Sequence, residues 1–386
     1  MREHAQRLTG VEKTIFAEMS ALAVRTGSVN LGQGFPDEDG PPEVIEAAVA
    51  ALRGGRNQYP PGHGTPELLD AVIAHQQRHY GLVLERSQVV ATTGATEAVA
   101  AALLGLVDPG DEVVVLEPYY DSYVAMIQFA GAVRRPVTLR APDFRLDVDA
   151  LEAAVTDRTR LILLNTPHNP TGTVLSRAEL EAVAAVAIEH DLVVVTDEVY
   201  EHLTFEEPHV PLATLPGMFD RTVTISSAGK TFSLTGWKVG WASGPADLVA
   251  AVEGAKNWLS FASGAPLQPA IAVALDDHDA FHEQLAKDLR EKRDRLCAGL
   301  ADVGMRVFEP AGTYFVTTDV SAYGHADGRA FCTALPELAG VVAIPSQVFY
   351  DDLGEGRHLV RWAFCKRREV IDEGLRRLAA ADLRAR

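Results

Sequence analysis

The sequence predicts an α/β chain, with a mostly parallel central sheet sandwiched by helices and a smaller α+β domain beside it. Two observations carry that expectation. Between residues 88 and 226, short apolar β-branched segments alternate with helical ones, the mark of parallel strands covered on both faces. After Trp241 the alternation stops, and a long charged helix and shorter mixed pieces follow. The expected division is a large domain over 41–284 and a smaller one from 1–40 and 285–386. With 386 residues, 47% of them hydrophobic, and 31 glycines, the chain can build a large core and more than one domain.

Taken in order, Val11 to Ala23 reads as a short helix and LGQGFPDEDG, from Leu31 to Gly40, as a loop. Pro42 to Leu52 is helical in pattern. NQYPPGHGTP, Asn57 to Pro66, has too much Gly and Pro for anything but an ordered loop. Glu67 to Tyr80 is a helix stopped by Gly81. Then come a strand at Gln88 to Thr92, a helix at Thr96 to Val107, a strand at Glu112 to Leu116 and a helix at Asp121 to Ala130. A strand at Thr159 to Leu164 leads into NTPHNPTG. The helix Ser176 to His190 opens with a capping box of Ser176 and Glu179. Leu192 to Thr196 is a strand ending in DEVY, and Thr222 to Ser226 leads into SSAGKTFSLTGWKVGW. Pro245 to Leu259 and about Asp279 to Leu300 are helical.

Composition narrows the partners. The 53 acidic and 35 basic residues leave a formal net charge of -18, which repels phosphate backbones and anionic lipids. Nucleic-acid and membrane partners are therefore not expected. Cys297, Cys332 and Cys365 are far apart and odd in number, which suits a reducing, cytoplasmic setting. No CxxC or HExxH appears, so no metal is expected. MREHAQRLTG lacks an apolar signal core.

The lysine stretch has two readings. It can be a strand–turn–strand hairpin with Lys230 and Lys238 exposed. Alternatively, an apolar loop and a neighbouring cation strip Lys230 of its proton and leave an amine that condenses with an aldehyde. In open α/β sheets ligands lie at the carboxyl ends of the strands. There the sequence places Gly94, Ala95, Thr96, Tyr120, Asn169, Asp197, Tyr200, Ser227 and Lys230. Singly, each has a plain explanation: a helix cap, a core tyrosine, a turn before proline. Together they suit one cofactor, pyridoxal 5'-phosphate. Ala95 and Thr96 at a helix start, with Ser227 and Lys238, can hold a phosphate. Asp197 can keep a pyridine nitrogen protonated. Asn169 and Tyr200 can bond the ring oxygen, Tyr120 can stack on the ring, and Lys230 can carry the aldehyde carbon as an imine.

EPYYDSY, NTPHNPTGTVL, TDEVYEHL, SSAGKTFSLTGWKVGWASGP, GTYF and HLVRWAFCK stand in the order found in fold-type I, pyridoxal-phosphate-dependent aminotransferases of class I/II, which the chain resembles. LGQGFPDEDGPP and NQYPPG extend the resemblance over nearly the whole chain. It is most similar to the kynurenine/glutamine transaminase K group, and within that to the actinobacterial N-succinyldiaminopimelate aminotransferases. The resemblance implies Lys230 as Schiff-base lysine and proton shuttle. It implies Arg361 as a fork for the substrate α-carboxylate, with Asn169 and the Gly34 backbone beside it. It also implies a homodimer in which Tyr59 reaches the partner's phosphate site. Phe16, Tyr120 and Phe261 are implied near the substrate side chain, and at all three places the chain departs from the kynurenine type. Tyr120 replaces Phe, Phe16 replaces Trp, and Ala262 rather than His follows Phe261.

The expected activity is a ping-pong transfer of an amino group from an L-amino acid to a 2-oxo acid, in cytoplasmic amino-acid metabolism. N-succinyl-LL-diaminopimelate, methionine or glutamine are the expected donors. The rivals are a cysteine-S-conjugate β-lyase and a non-catalytic cofactor-binding regulator.

Overall fold

The computed structural model of the chain describes residues 5–11 and 14–385. Its centre is a seven-stranded sheet. In chain order the strands are β1 (Val89–Thr92), β2 (Glu112–Glu117), β3 (Val133–Thr138), β4 (Thr159–Asn165), β5 (Val193–Asp197), β6 (Thr222–Ser227) and β7 (Gly240–Ser243). Across the sheet they run β1, β7, β6, β5, β4, β2, β3. Only β7 is antiparallel to its neighbours, because the chain folds straight back after β6.

Two of these strands were not expected. β3 reads VRRPVT, and charges and a proline are what an edge strand tolerates while masking its strand signal. β7 is four residues long and continues the lysine stretch.

Side-chain alternation divides the strands between two faces. Val113, Val115, Leu161, Leu163 and Val195 pack with the helices Gly94–Leu106, Asp121–Ala130 and Ala246–Leu259. Val114, Leu116, Ile162, Leu164 and Val194 pack with the helix Arg177–Glu189 and the unexpected short helix Val148–Ala154. The capping box forms as expected: the Ser176 hydroxyl accepts from the Glu179 amide at 3.3 Å, and the Glu179 carboxylate accepts from the Ser176 amide at 2.7 Å. A third core joins β1 and β7 to the helices Pro42–Arg53, Pro66–Tyr80 and Leu267–Asp277, the last also unexpected.

The remaining core lies around an antiparallel sheet in the order Ile344–Pro345, Leu359–Ala363, Phe315–Asp319, Arg306–Phe308. The helix expected at Val11 to Ala23 is found at Ile15–Thr26, with Thr14 as its N-cap; Glu12 and Lys13 lie outside the described residues. That helix joins this core, and Val29–Asn30 pairs in parallel with Val341–Val342. The long charged helix runs over Asp279–Asp302. Among the described residues no helix is long and apolar enough to cross a membrane.

Candidate active site

The parallel strands bring their carboxyl ends to one level. Asn165 at the end of β4 registers with Asp197 at the end of β5, and Asp197 with Ile225 of β6. A cavity of about 330 Å³ opens there, bounded across from the sheet by Phe315 and Arg361 of the smaller sheet.

Lys230 rides on the single helical turn Ala228–Thr231, directly after β6. β6 and β7 form an antiparallel pair, so the hairpin reading is right about topology. It is wrong about Lys230, which the intervening segment carries into the cavity. Its Nζ donates to the Tyr314 hydroxyl at 2.7 Å, and that hydroxyl donates to the Gly34 carbonyl at 2.7 Å. Burial outweighs the nearby anions and pulls the ammonium from its ordinary range down to about 8. Lys238 lines the same cavity from an exposed, left-handed position.

Asp197 is buried. Its Oδ2 accepts from the Tyr123 hydroxyl at 2.6 Å and its Oδ1 from the Val199 amide at 3.3 Å. Burial nevertheless raises its pKa, since these hydrogen bonds and the charge of Lys230 only partly compensate the lost hydration.

The helix after β1 starts at Gly94, two residues earlier than expected, with Gly94 at φ +71°. Ala95 and Thr96 therefore lie in its first turn, where amide N–H groups have no carbonyl within the helix to bond. Both line the cavity, with Ser227 and Lys238 facing them. Close approach makes this cradle possible. Gly240 pairs with both Thr92 and Ser227, and a Cβ on it would stand 2.7 Å from the Gly94 carbonyl carbon.

Arg361 is only 1% exposed. Its Nη1 donates to Asn169 Oδ1 at 2.9 Å and its Nη2 to the Gly32 carbonyl at 3.0 Å, while buried Nε has no partner. Aromatic rings cover it: the guanidinium carbon is 3.9 Å from the Phe315 centroid and 4.8 Å from that of Phe16. No carboxylate among the described residues pairs with it, so Arg361 is not one half of a structural ion pair within them. Burial pulls even this guanidinium down, to about 10.

The cavity thus gathers Phe16, Gly34, Ala95, Thr96, Tyr120, Asn169, Asp197, Tyr200, Ser227, Lys230, Lys238 and Arg361 of the sequence-derived set. It does not gather Tyr59 or Phe261. Tyr59 is 86% exposed and meets the half-exposed Phe261 edge-on at 5.6 Å, outside their own chain's cavity. Cavity residues that escaped the sequence reading include Tyr123, Asn165 and Phe315, and so did Tyr314 beneath Lys230. Each lies in a motif already singled out (EPYYDSY, NTPHNPTG, GTYF), but nothing local says which tyrosine of a cluster turns inward.

The pattern of the family described as aminotransferase class I and II matches residues 26–378. The probable N-succinyldiaminopimelate aminotransferase DapC of Mycobacterium tuberculosis is 53% identical over 386 residues, covering 97% of each chain. A solved N-succinyldiaminopimelate aminotransferase from Mycobacterium tuberculosis superposes with a TM-score of 0.96 at 54% identity, covering 98% of this chain and 99% of that one. The methionine aminotransferase of Escherichia coli is 38% identical over 378 residues, covering 97% of this chain and 96% of its own. A part-buried amine, a buried carboxylate and a buried guanidinium in one cavity, on this fold and at this similarity, make the chain an aminotransferase of the class I and II family.

Proposed function

We propose that the cavity binds pyridoxal 5'-phosphate and that the chain transfers an amino group from an L-amino acid to a 2-oxo acid in two half-reactions. The carrying observation is buried charge without an ion pair: Asp197 and Arg361 are buried in one cavity with Lys230, and among the described residues no carboxylate pairs with Arg361. The residues present fit the cofactor. Lys230 offers for its aldehyde an amine whose ammonium is weakened to about 8, Asp197 a carboxylate for its ring nitrogen, and the start of the helix Gly94–Leu106 free amides for its phosphate. When bound, the group supplies a ring that delocalises electrons released at the substrate α-carbon.

The chain's own residues do the rest. Asp197 holds the ring-nitrogen proton, and Tyr123 keeps its carboxylate oriented. Asn169 and Tyr200 serve the ring oxygen, and Tyr120 covers the ring face. Ala95, Thr96, Ser227 and Lys238 neutralise the phosphate. When free, the Lys230 amine would act as the base for the substrate α-proton and as the acid that returns it at the former aldehyde carbon; Tyr314 steadies that amine. Arg361 grips the α-carboxylate, with Asn169 and Gly34 beside it.

Substrate choice rests on the apolar wall and on relatives. Phe16 and Tyr120 line the side-chain end, and among the described residues Arg361 is the only arginine lining the cavity. A short distal carboxylate such as that of aspartate finds no second fork. N-succinyl-LL-diaminopimelate, supported by the names of the relatives at 53% and 54% identity, leads methionine and glutamine. The test compares kcat/KM for these three donors with kynurenine and aspartate, using 2-oxoglutarate as acceptor. Aspartate or kynurenine ahead of all three would overturn the reading of this wall. The rival β-lyase and regulator readings gain no support, since the relatives named above are aminotransferases over nearly full length.

The active unit in this reading is a cytoplasmic homodimer with shared sites. Exposed Tyr59 and Phe261, with Trp258 three residues before Phe261 and 91% exposed, supply aromatic surface that their own cavity does not use. Three buried, free cysteines suit a reducing compartment. In an isolated heterodimer of Lys230→Ala and Tyr59→Phe chains, one site should carry both lesions and the other neither. Equal impairment of both sites would exclude donation across the interface.

A further inference from the structure

Behind the cavity, on the far side of the turn that follows β5, lies a cluster of imidazoles that the transamination chemistry does not use. His75 and His79 stand four residues apart on the helix Pro66–Tyr80, and so share one of its faces. His202 comes from the turn after Asp197, and His282 and Asp279 from the start of the helix Asp279–Asp302. One ligand atom each from His75, His79 and His202 lie within 4.8 Å of one another, and the same holds for His79, Asp279 and His282.

We propose that the chain binds one divalent first-row transition-metal ion, zinc in type, through the imidazoles of His75, His79 and His202. Three observations on the cluster support this. His75 Nε2 and His202 Nε2 are 2.7 Å apart. Nitrogen ligands about 2.0–2.1 Å from a tetrahedral ion stand roughly 3.3 Å apart, so the pair needs to open by only about half an ångström. His75 is 1% exposed and its Nδ1 has no hydrogen-bond partner, so no bond within the chain fixes which ring nitrogen carries the proton, and Nε2 is left able to act as a ligand. The surface depression lined by His79, His202 and His282 gives an ion a way in and leaves a fourth position for water.

The charges suit a cation. Asp279 is bound by Arg78 through two hydrogen bonds, at 2.8 and 3.0 Å, which neutralise that guanidinium beside the site. Imidazole-rich sets select zinc, copper, nickel and cobalt over magnesium and calcium. No short motif announces the site, because its third ligand comes from a segment remote from the HxxxH pair. Bound there, the ion ties the helix carrying His75 to the turn carrying Tyr200.

The test uses untagged holoenzyme, cleared of metal by chelator and then of chelator, titrated separately with Zn2+ and Co2+. The expected result is one ion per chain, with visible ligand-field bands of tetrahedral nitrogen-rich Co2+ and a melting temperature raised by Zn2+. His79→Gln and His202→Gln should each weaken binding by more than the about 10- to 100-fold that outer-sphere partners contribute. His190→Gln, at an exposed helix end, should bind like the parent. His79 is half-buried at the rim, so its variant should fold and is the deciding one. No stoichiometric uptake by the parent chain, or unchanged uptake by His79→Gln, overturns the proposal.

Discussion

The six residues Asp197 to His202 divide between two environments. Asp197 and Tyr200 face the cavity. Glu198, Glu201 and His202 face the other way, into the body of the chain. There Glu198 meets His209 at 2.7 Å, and Glu201 accepts from the Tyr80 hydroxyl at 2.6 Å and from the Ser226 hydroxyl. All three carboxylates are buried. On the back face, each has a partner able to neutralise it or share its proton. On the front face, Asp197 has a phenol, an amide and a weakened ammonium, and Arg361 opposite forms no ion pair with a carboxylate among the described residues, feeling Asp121 only at longer range. Buried groups balanced within the chain hold the fold, whereas buried groups left unbalanced wait for a ligand.

The largest expected effect breaks the front face at its nucleophile. Lys230→Ala should abolish turnover and the covalent attachment of pyridoxal phosphate, read by absorbance and by mass of the reduced protein. Transamination near the parent rate would remove Lys230 from its role. In cofactor-free protein, acylation of Lys230 should rise with pH through about 8, the range to which burial lowers it, while surface lysines respond only at higher pH.

Arg361→Ala should come next. Truncating one partner of a buried charge pair costs about 2–5 kcal/mol, or roughly thirty- to several-thousand-fold in kcat/KM. The loss should be shared by all donors, because all present the same α-carboxylate. A loss confined to one donor would move Arg361 from the common grip to the side-chain pocket.

Asp197→Asn should lower kcat by more than about tenfold while cofactor occupancy, measured in parallel, stays full. An amide keeps the shape and one acceptor oxygen but not the anion. A smaller loss at full occupancy would equate Asp197 with its balanced neighbours.

Glu201→Gln sharpens the comparison from the other side and should leave kcat unchanged. Burial first of all raises the Glu201 carboxyl from its ordinary 4.5 to about 7. The folded chain therefore holds this proton more tightly than the unfolded one, so its contribution favours folding at low pH and is lost as pH rises from 4.5 through 7. The Gln variant should lack that decline in melting temperature with pH. A fall in kcat instead would make the back face part of the chemistry.

Local patterns made much of this molecule legible in its sequence. β-branched runs and the Ser176 capping box are signals carried within a few residues, and they led to the parallel strands and the helix Arg177–Glu189. Placement at strand ends did the same for Lys230, Asp197 and Asn169, since ligands of an open sheet collect there whatever the rest of the chain does; Arg361, inside a strand of the smaller sheet, was legible only through the family resemblance. Tertiary structure decided the remainder. β3 declared itself only by pairing with β2, because an edge strand carries the charges and proline that hide it. Tyr314 reached Lys230 only once the smaller sheet had docked over the large one. Tyr59 and Phe261 proved to lie outside their own cavity. Whether a buried charge is balanced or waiting depends on side chains hundreds of positions away: Arg361 against Asn169 and Gly32, Glu201 against Tyr80, His75 against His202. No window of sequence holds both members of such a pair, so only the folded chain brings them within reach.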